Sequence, residues 1–205
     1  MKKVLFVLFL TIVSIPMFAE DSIYIKVHFL YGSKPKREFK EVESKWFGGK
    51  LGGHVGIEID SNEIIDFVPS GDFHYFAKKN DCNSRFAQHS LESFYEIFGG
   101  STEDVKKMSV KIPISAQQKL KLDSIVNSYT NVTPYDYAFI GMRCGAATYD
   151  VLSQIGVVEQ YSHRRTYMKI FYPKKLRKPL AEQARENNWT IAEQEGSTNR
   201  KWEKD

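Results

Sequence analysis

The amino-acid sequence predicts an α+β domain in which an antiparallel sheet packs against a helix that starts at Cys144. Three observations carry this. Ile23, Ile25, Val27 and Phe29 alternate in "SIYIKVHFLYG", as do Met108, Val110 and Ile112 in "VKKMSVKIPI", the period-two pattern of a strand with one buried face. Residues 54–69, "HVGIEIDSNEIIDFVP", read as two such strands joined by a short turn. Leu122, Ile125, Val126 and Tyr129, and again Ala147, Val151, Leu152 and Ile155, recur at the spacing of a helix with one buried stripe.

From the N-terminus, Lys2 and Lys3 precede an uncharged run from Val4 to Ile15, followed by Pro16, Ala19, Glu20 and Asp21. This is the layout of a secretory signal peptide over residues 1–19, cleaved near Ala19, and it predicts a periplasmic or extracellular protein. Met17 is larger than the residue usual three positions before such a cut. The remaining chain, residues 20–205, fits a single domain. Removing Lys2 and Lys3 from 29 basic residues leaves 27 against 25 acidic ones, a net charge of +2, which selects no class of partner. Between 161 and 178, however, Arg164, Arg165, Lys169, Lys174, Lys175, Arg177 and Lys178 occur with no acidic residue. That run reads first as a solvated face and second as a contact for an anionic membrane or wall polymer. No nucleic-acid-binding module is recognisable, no cofactor is called for, and the oligomeric state is left open.

The elements follow in order. Residues 32–53, polar and ending in two Gly-Gly pairs, read as a loop leading into the hairpin, and "FHYFA" at 73–77 as a further strand. Ser90 caps a short helix through Phe98, stopped by Gly99 and Gly100. Ser115 with Gln118 forms a capping-box pair for a helix over 116–129. The Cys144 helix ends at Gly156, and Pro179 opens a last helix to Asn187 before a polar tail. Asn131-Val-Thr and Asn188-Trp-Thr match glycosylation acceptors, a weak signal by itself.

Residue parity sets the geometry of the hairpin. Val55, Ile57 and Ile59 share one face, so His54, Gly56 and Glu58 share the other. A three-residue loop at 60–62 pairs 57 with 65 and 56 with 66, which places Asp66 on the face of His54 as its diagonal neighbour. Gly56 then leaves the space between them open. A histidine held by a carboxylate keeps one ring nitrogen in a defined tautomer and frees the other to take a proton from a thiol or hydroxyl. The plainer alternative is a hairpin face that carries His54, Glu58 and Asp66 because it meets water. His28, on the second face of its own strand, reads as an ordinary, partly exposed histidine.

Cys144 lies between the apolar lead "AFIGMR" and the small-residue run "GAAT". At a helix start, unpaired N–H groups and the dipole favour a thiolate. Gly145 and the alanines after it let a substrate carbonyl approach those N–H groups, as an oxyanion hole requires. Cys82, in "KKNDCNSRF", lacks such a setting, so Cys144 is the expected nucleophile. Tyr135, Asp136 and Tyr137 precede the helix as candidate cleft residues, with packing as the commoner role of such aromatics. A metal site of His54, Asp66 and His74 is the other catalytic reading, but no His-x-x-x-His or Cys-x-x-Cys spacing supports it.

"HVGIEIDSNEIID" followed far downstream by a cysteine at a helix start resembles the circularly permuted papain-like superfamily. Its members include relatives of lecithin retinol acyltransferase and of the NlpC-type peptidases. The resemblance spans residues 54–156 and implies a permuted papain-like fold. It also implies a Cys-His-Asp triad, with Cys144 as nucleophile, His54 as general base and Asp66 as the partner that orients it. Two positions depart from the acyltransferase pattern. Arg143 stands where an asparagine often precedes the cysteine, which marks it as a substrate-binding position, and Asp66 stands where that branch has histidine. The expected reaction is hydrolysis of an amide or ester, with a cell-envelope peptide as the first candidate substrate and a lipid or lipoprotein acyl ester as the second. The competing class is a non-catalytic exported binding module stapled by a Cys82–Cys144 disulfide.

Overall fold

The computed structural model describes residues 23–43, 45–46, 49–72, 74–79, 82–97 and 101–204. The expected signal peptide and the Gly99–Gly100 stop lie outside them. The strands are β1 (Tyr24–Tyr31), β2 (Ser33–Pro35), β3 (Gly53–Asp60), β4 (Glu63–Pro69), β5 (His74–Phe76), β6 (Ser84–Ser90), β7 (Lys107–Pro113), β8 (Ala138–Ile140), β9 (Thr190–Gln194) and β10 (Arg200–Trp202). The helices are α1 (Leu91–Tyr95), α2 (Ala116–Asn131), α3 (Cys144–Gln154), α4 (His163–Lys169) and α5 (Pro173–Glu186). Six strands form one antiparallel sheet in the order β6-β4-β3-β1-β7-β9, while β10 pairs with β2 and β5 runs parallel to β8. No helix among the described residues is long and apolar enough to cross a membrane.

The alternating residues of β1, β3, β4 and β7 put Val27, Phe29, Val55, Ile57, Phe67 and Val110 on one face, buried with Val151 and Leu152 of α3 and Leu176 and Leu180 of α5. The second face is not solvated, as the sequence had allowed. Leu30 and Ile64 are buried there with Trp46, Phe94, Tyr95 and Val105, so α1 acts as a lid on the polar row. Burying a phenylalanine such as Phe94 contributes roughly 2–3 kcal/mol. An unpaired buried polar group costs a comparable amount. The lid is therefore stable only because the polar row beneath it pairs internally. His28 is 3% exposed rather than partly exposed, and its Nε2 lies 2.7 Å from Glu58 Oε2 and its Nδ1 2.5 Å from the Tyr95 hydroxyl.

The hairpin register is the expected one, but its closure differs. Gly56 faces Asp66 and Ile57 faces Ile65, yet Asp60 pairs with Glu63 across a two-residue turn, and a register shift between Glu58 and Asp60 absorbs the difference. Asn62 at φ 71° supplies the left-handed residue, a conformation asparagine tolerates better than most. The extra residue at Ile59 is a β-bulge, which a parity count cannot see because a bulge adds one residue without breaking the apolar alternation.

Other elements also depart from expectation. Residues 32–53 include β2 and two short 3₁₀ turns, and the polar tail supplies β9 and β10. The last helix begins at Pro173, with Pro179 inside it. A proline at the first helical position loses nothing, because its missing N–H would be unpaired anyway. The interior Pro179 leaves the Lys175 carbonyl without its helical donor, and burial of Leu176, Leu180 and Ala184 on one stripe offsets that loss. The basic run 161–178 is split between α4 and α5, and Arg177 is buried against Glu203 at 2.9 Å, so the run is not one continuous face. The Ser115–Gln118 capping box is present, with its two reciprocal bonds at 2.8 and 3.2 Å.

Candidate active site

Pairing of β3 with β4 ends at Gly56 and Asp66, while β3 continues beside β1 to Gly53 and β4 beside β6 to Pro69. The two strands part at His54. A residue on the α1 side of the sheet thereby meets a thiol carried by a helix packed on the other side. His54 Nε2 donates to Asp66 Oδ2 at 2.5 Å, and the Cys144 sulfur is close enough to His54 to act on its charge. With Nε2 committed to the carboxylate, Nδ1 is the nitrogen left for the sulfur. Burial opposes charge on the imidazole, but the Asp66 carboxylate and the Cys144 sulfur outweigh it and push the His54 pKa up to about 10. Asp66 is 1% exposed. Burial favours its neutral form, yet contact with His54 and His89 holds its pKa below the ordinary value.

Gly56 does not leave open space between His54 and Asp66. A Cβ added there would lie 3.0 Å from Phe94 Cε2 and 3.0 Å from the Ile65 carbonyl. The glycine admits the ring of Phe94, whose centroid is 5.5 Å from that of His54. Phe94 thus covers the imidazole on the α1 side and keeps water from competing for its bond to Asp66.

On α3, Arg143 is the N-cap and makes no side-chain cap. The chain just before it folds back, with Ala138 N–H donating to the Met142 carbonyl at 3.1 Å and Tyr137 bridging Met142. This turn carries Tyr137 to the helix start, where its hydroxyl lies beside the Cys144 sulfur and backbone N–H. Burial and the neighbouring sulfur raise the Tyr137 pKa well above its usual value, so the hydroxyl stays a donor. Cys144 itself is 4% exposed.

The remaining expected residues divide. Tyr135 packs against Phe67, Phe86 and Tyr129, with its hydroxyl turned to Asp150 at 3.4 Å, so it belongs to the core rather than to the thiol. Gly145 is small for a packing reason: a Cβ there would sit 3.2 Å from the Pro173 nitrogen and the Tyr172 carbonyl carbon, so α5 occupies the space that was expected to admit a substrate. Asp136 accepts from the backbone N–H groups of Lys78 and Asn83 and pairs with His74 at 2.7 Å, which tethers β5. His74 therefore does not join His54 and Asp66, and the described residues hold no group of three metal-ligating side chains. Cys82 is exposed and Cys144 buried, both as free thiols, so the disulfide of the binding-module alternative is not formed.

Two neighbours were not anticipated. His89 Nε2 stands 3.1 Å from Asp66 Oδ1 as an ion pair whose angle falls short of a hydrogen bond, and that contact raises the His89 pKa more than burial lowers it. Phe94 is the other. Strand β6, "SRFAQHS", has Phe86 as its one large apolar residue, so no alternation announced a strand that would bring His89 beside Asp66. Comparison of the chain with models of protein families, with curated proteins and with solved structures finds no match.

Proposed function

We propose that this protein is a cysteine hydrolase with a circularly permuted papain-like fold, exported by its N-terminal segment, that cleaves an amide or ester bond of the cell envelope. A wall peptide is the favoured substrate. The observation that carries the reading is that His54, held by Asp66 at 2.5 Å, lies within electrostatic reach of the Cys144 sulfur at a helix start.

His54, its charge held by Asp66, is already an imidazolium at neutral pH, so the Cys144 sulfur attacks the substrate carbonyl carbon as the thiolate of that ion pair. The Tyr137 hydroxyl, already at the sulfur and the first helical N–H, donates to the oxygen as it becomes negative. Collapse of the tetrahedral adduct breaks the amide or ester bond, and His54 gives its proton to the leaving nitrogen or oxygen. A water molecule, deprotonated by the now neutral His54, then attacks the thioester, releases the acid and restores the pair of Cys144 thiolate and His54 imidazolium.

Limited labelling with iodoacetamide at neutral pH tests this assignment. Exposure alone favours Cys82, whereas an activated nucleophile favours the buried Cys144. Mapping of the adduct is expected to show Cys144 modified first, with its rate reduced at least about tenfold in His54→Ala. Preferential labelling of Cys82, or a Cys144 rate indifferent to His54, overturns the assignment.

A further inference from the structure

Among the described residues, the cation that precedes the nucleophile has no counter-ion. The guanidinium of Arg143 lies 3.6 Å from the centre of the Phe171 ring and 5.6 Å from that of Phe139. Its Nε and Nη2 are buried, and neither finds a hydrogen-bond acceptor among the described residues. The titratable groups that act on it are the Tyr137 hydroxyl, the Cys144 sulfur and the Tyr172 hydroxyl, with no carboxylate among them. The two fully buried arginines show the contrast, since Arg177 meets Glu203 at 2.9 Å and Arg200 meets Glu43 at 2.7 Å. A guanidinium with its flat face stacked on a ring keeps its edge for a planar anion. Leaving that edge unpaired in a partly buried site costs free energy, which a bound carboxylate would recover.

The surroundings continue the site outward. Phe139 stacks on Tyr75 at 5.4 Å and meets Phe171 edge-on at 5.5 Å, and Tyr75 and Phe76 stand 61% and 62% exposed. An aromatic strip thus runs from the Arg143 cation along β5 and β8 to the surface, held in place by the Asp136 tether.

We infer that Arg143 is a carboxylate-binding subsite beside the nucleophile, and that the protein selects acyl donors bearing a carboxylate within a few bonds of the scissile carbonyl. The inference rests on Cys144 as the reactive thiol, and it narrows the substrate class from amides and esters at large to anionic ones. The aromatic strip takes the apolar part of the same molecule.

Alkylation with a matched pair of reagents tests this without knowledge of the natural substrate. Iodoacetate carries the carboxylate and iodoacetamide is its neutral counterpart, and each transfers its carbon to the sulfur with loss of iodide. The ratio of the two rates at Cys144 is expected to exceed that at Cys82 by at least about tenfold. It should fall close to the Cys82 value in Arg143→Gln and stay elevated in Arg143→Lys, with thermal melts confirming that each variant folds. Succinate should also slow alkylation of Cys144 in the unaltered protein, while neutral succinamide should not, a readout that needs no variant. An elevated ratio that survives Arg143→Gln assigns the preference to the His54 imidazolium and overturns the subsite. So does a ratio equal to that of Cys82, or the absence of protection by succinate. Inertness of Cys144 to both reagents is a distinct result that removes the hydrolase reading and the subsite together.

Discussion

Two histidine–carboxylate pairs lie under the α1 lid, and they differ in one nitrogen. In the first, His28 reaches Glu58 with Nε2 and Tyr95 with Nδ1, and Lys26 takes the other Glu58 oxygen at 2.7 Å. In the second, His54 reaches Asp66 with Nε2 and lies within electrostatic reach of the Cys144 sulfur. The strands bring both pairs to one region, since His28 faces Gly56 on β3 and Gly56 faces Asp66 on β4. Phe94 lies against both imidazoles, at 6.4 Å from His28 and 5.5 Å from His54. Burial and a carboxylate partner are thus common to the two. Of these two pairs, the one at the parting of β3 and β4 has a thiol beside it. A buried histidine with a carboxylate is not by itself a catalytic signature, because the same arrangement can simply satisfy a polar row beneath a hydrophobic lid.

The comparison is broken most directly by removing each histidine in turn. With an activated ester as reporter, His54→Ala is expected to lower kcat/KM by at least about 10³-fold. His28→Ala should leave turnover per folded molecule unchanged while lowering unfolding free energy by about 2–4 kcal/mol, since Glu58 and Tyr95 lose a buried partner. Equal losses of turnover in the two variants would erase the distinction between the pairs.

A second, smaller effect separates orientation from proton transfer. Asp66→Asn is expected to lower kcat/KM by about 10²-fold or more, because the amide favours the wrong tautomer of His54. Asp66 is almost fully buried rather than on a partly solvated face, so this variant also loses stability, and kcat/KM has to be referred to folded protein. The double variant with His54→Ala should be little worse than His54→Ala alone, since groups that act as a unit are non-additive. Losses that multiply would assign Asp66 a separate role.

The smallest effect concerns stability against pH. The folded pKa of His54 is raised above its unfolded value of 6.5, to about 10. Its contribution is therefore fully present below about pH 6.5 and lost as the pH rises through 10. Urea unfolding of the unaltered protein should weaken over that window more steeply than that of His54→Gln. Asp66 has the opposite sign, because its depressed pKa makes its contribution present above the ordinary aspartate range and lost only in stronger acid. A parallel pH profile for the two proteins would show that the His54–Asp66 pair does not hold its charge in the folded state.

What the sequence determined by itself is whatever follows from local period and covalent spacing. Strand parity placed His54 and Asp66 on one face, because successive side chains in a strand point to opposite sides. The twelve-residue interval between them meets the hairpin register even though the turn is tighter and a bulge intervenes. The Ser115–Gln118 cap and the helix start at Cys144 were legible for the same local reason. Tertiary structure alone decided what covers each face and what occupies each gap. It placed Phe94 over Gly56, Pro173 against Gly145 and His89 beside Asp66, because these contacts join segments far apart in the chain, and no local pattern records which distant surface will be buried against which. The same reason hid the difference between His28 and His54. Both read as strand histidines, and only the packing of α1 on one side and α3 on the other determines that His28 is closed by a tyrosine and His54 by a thiol.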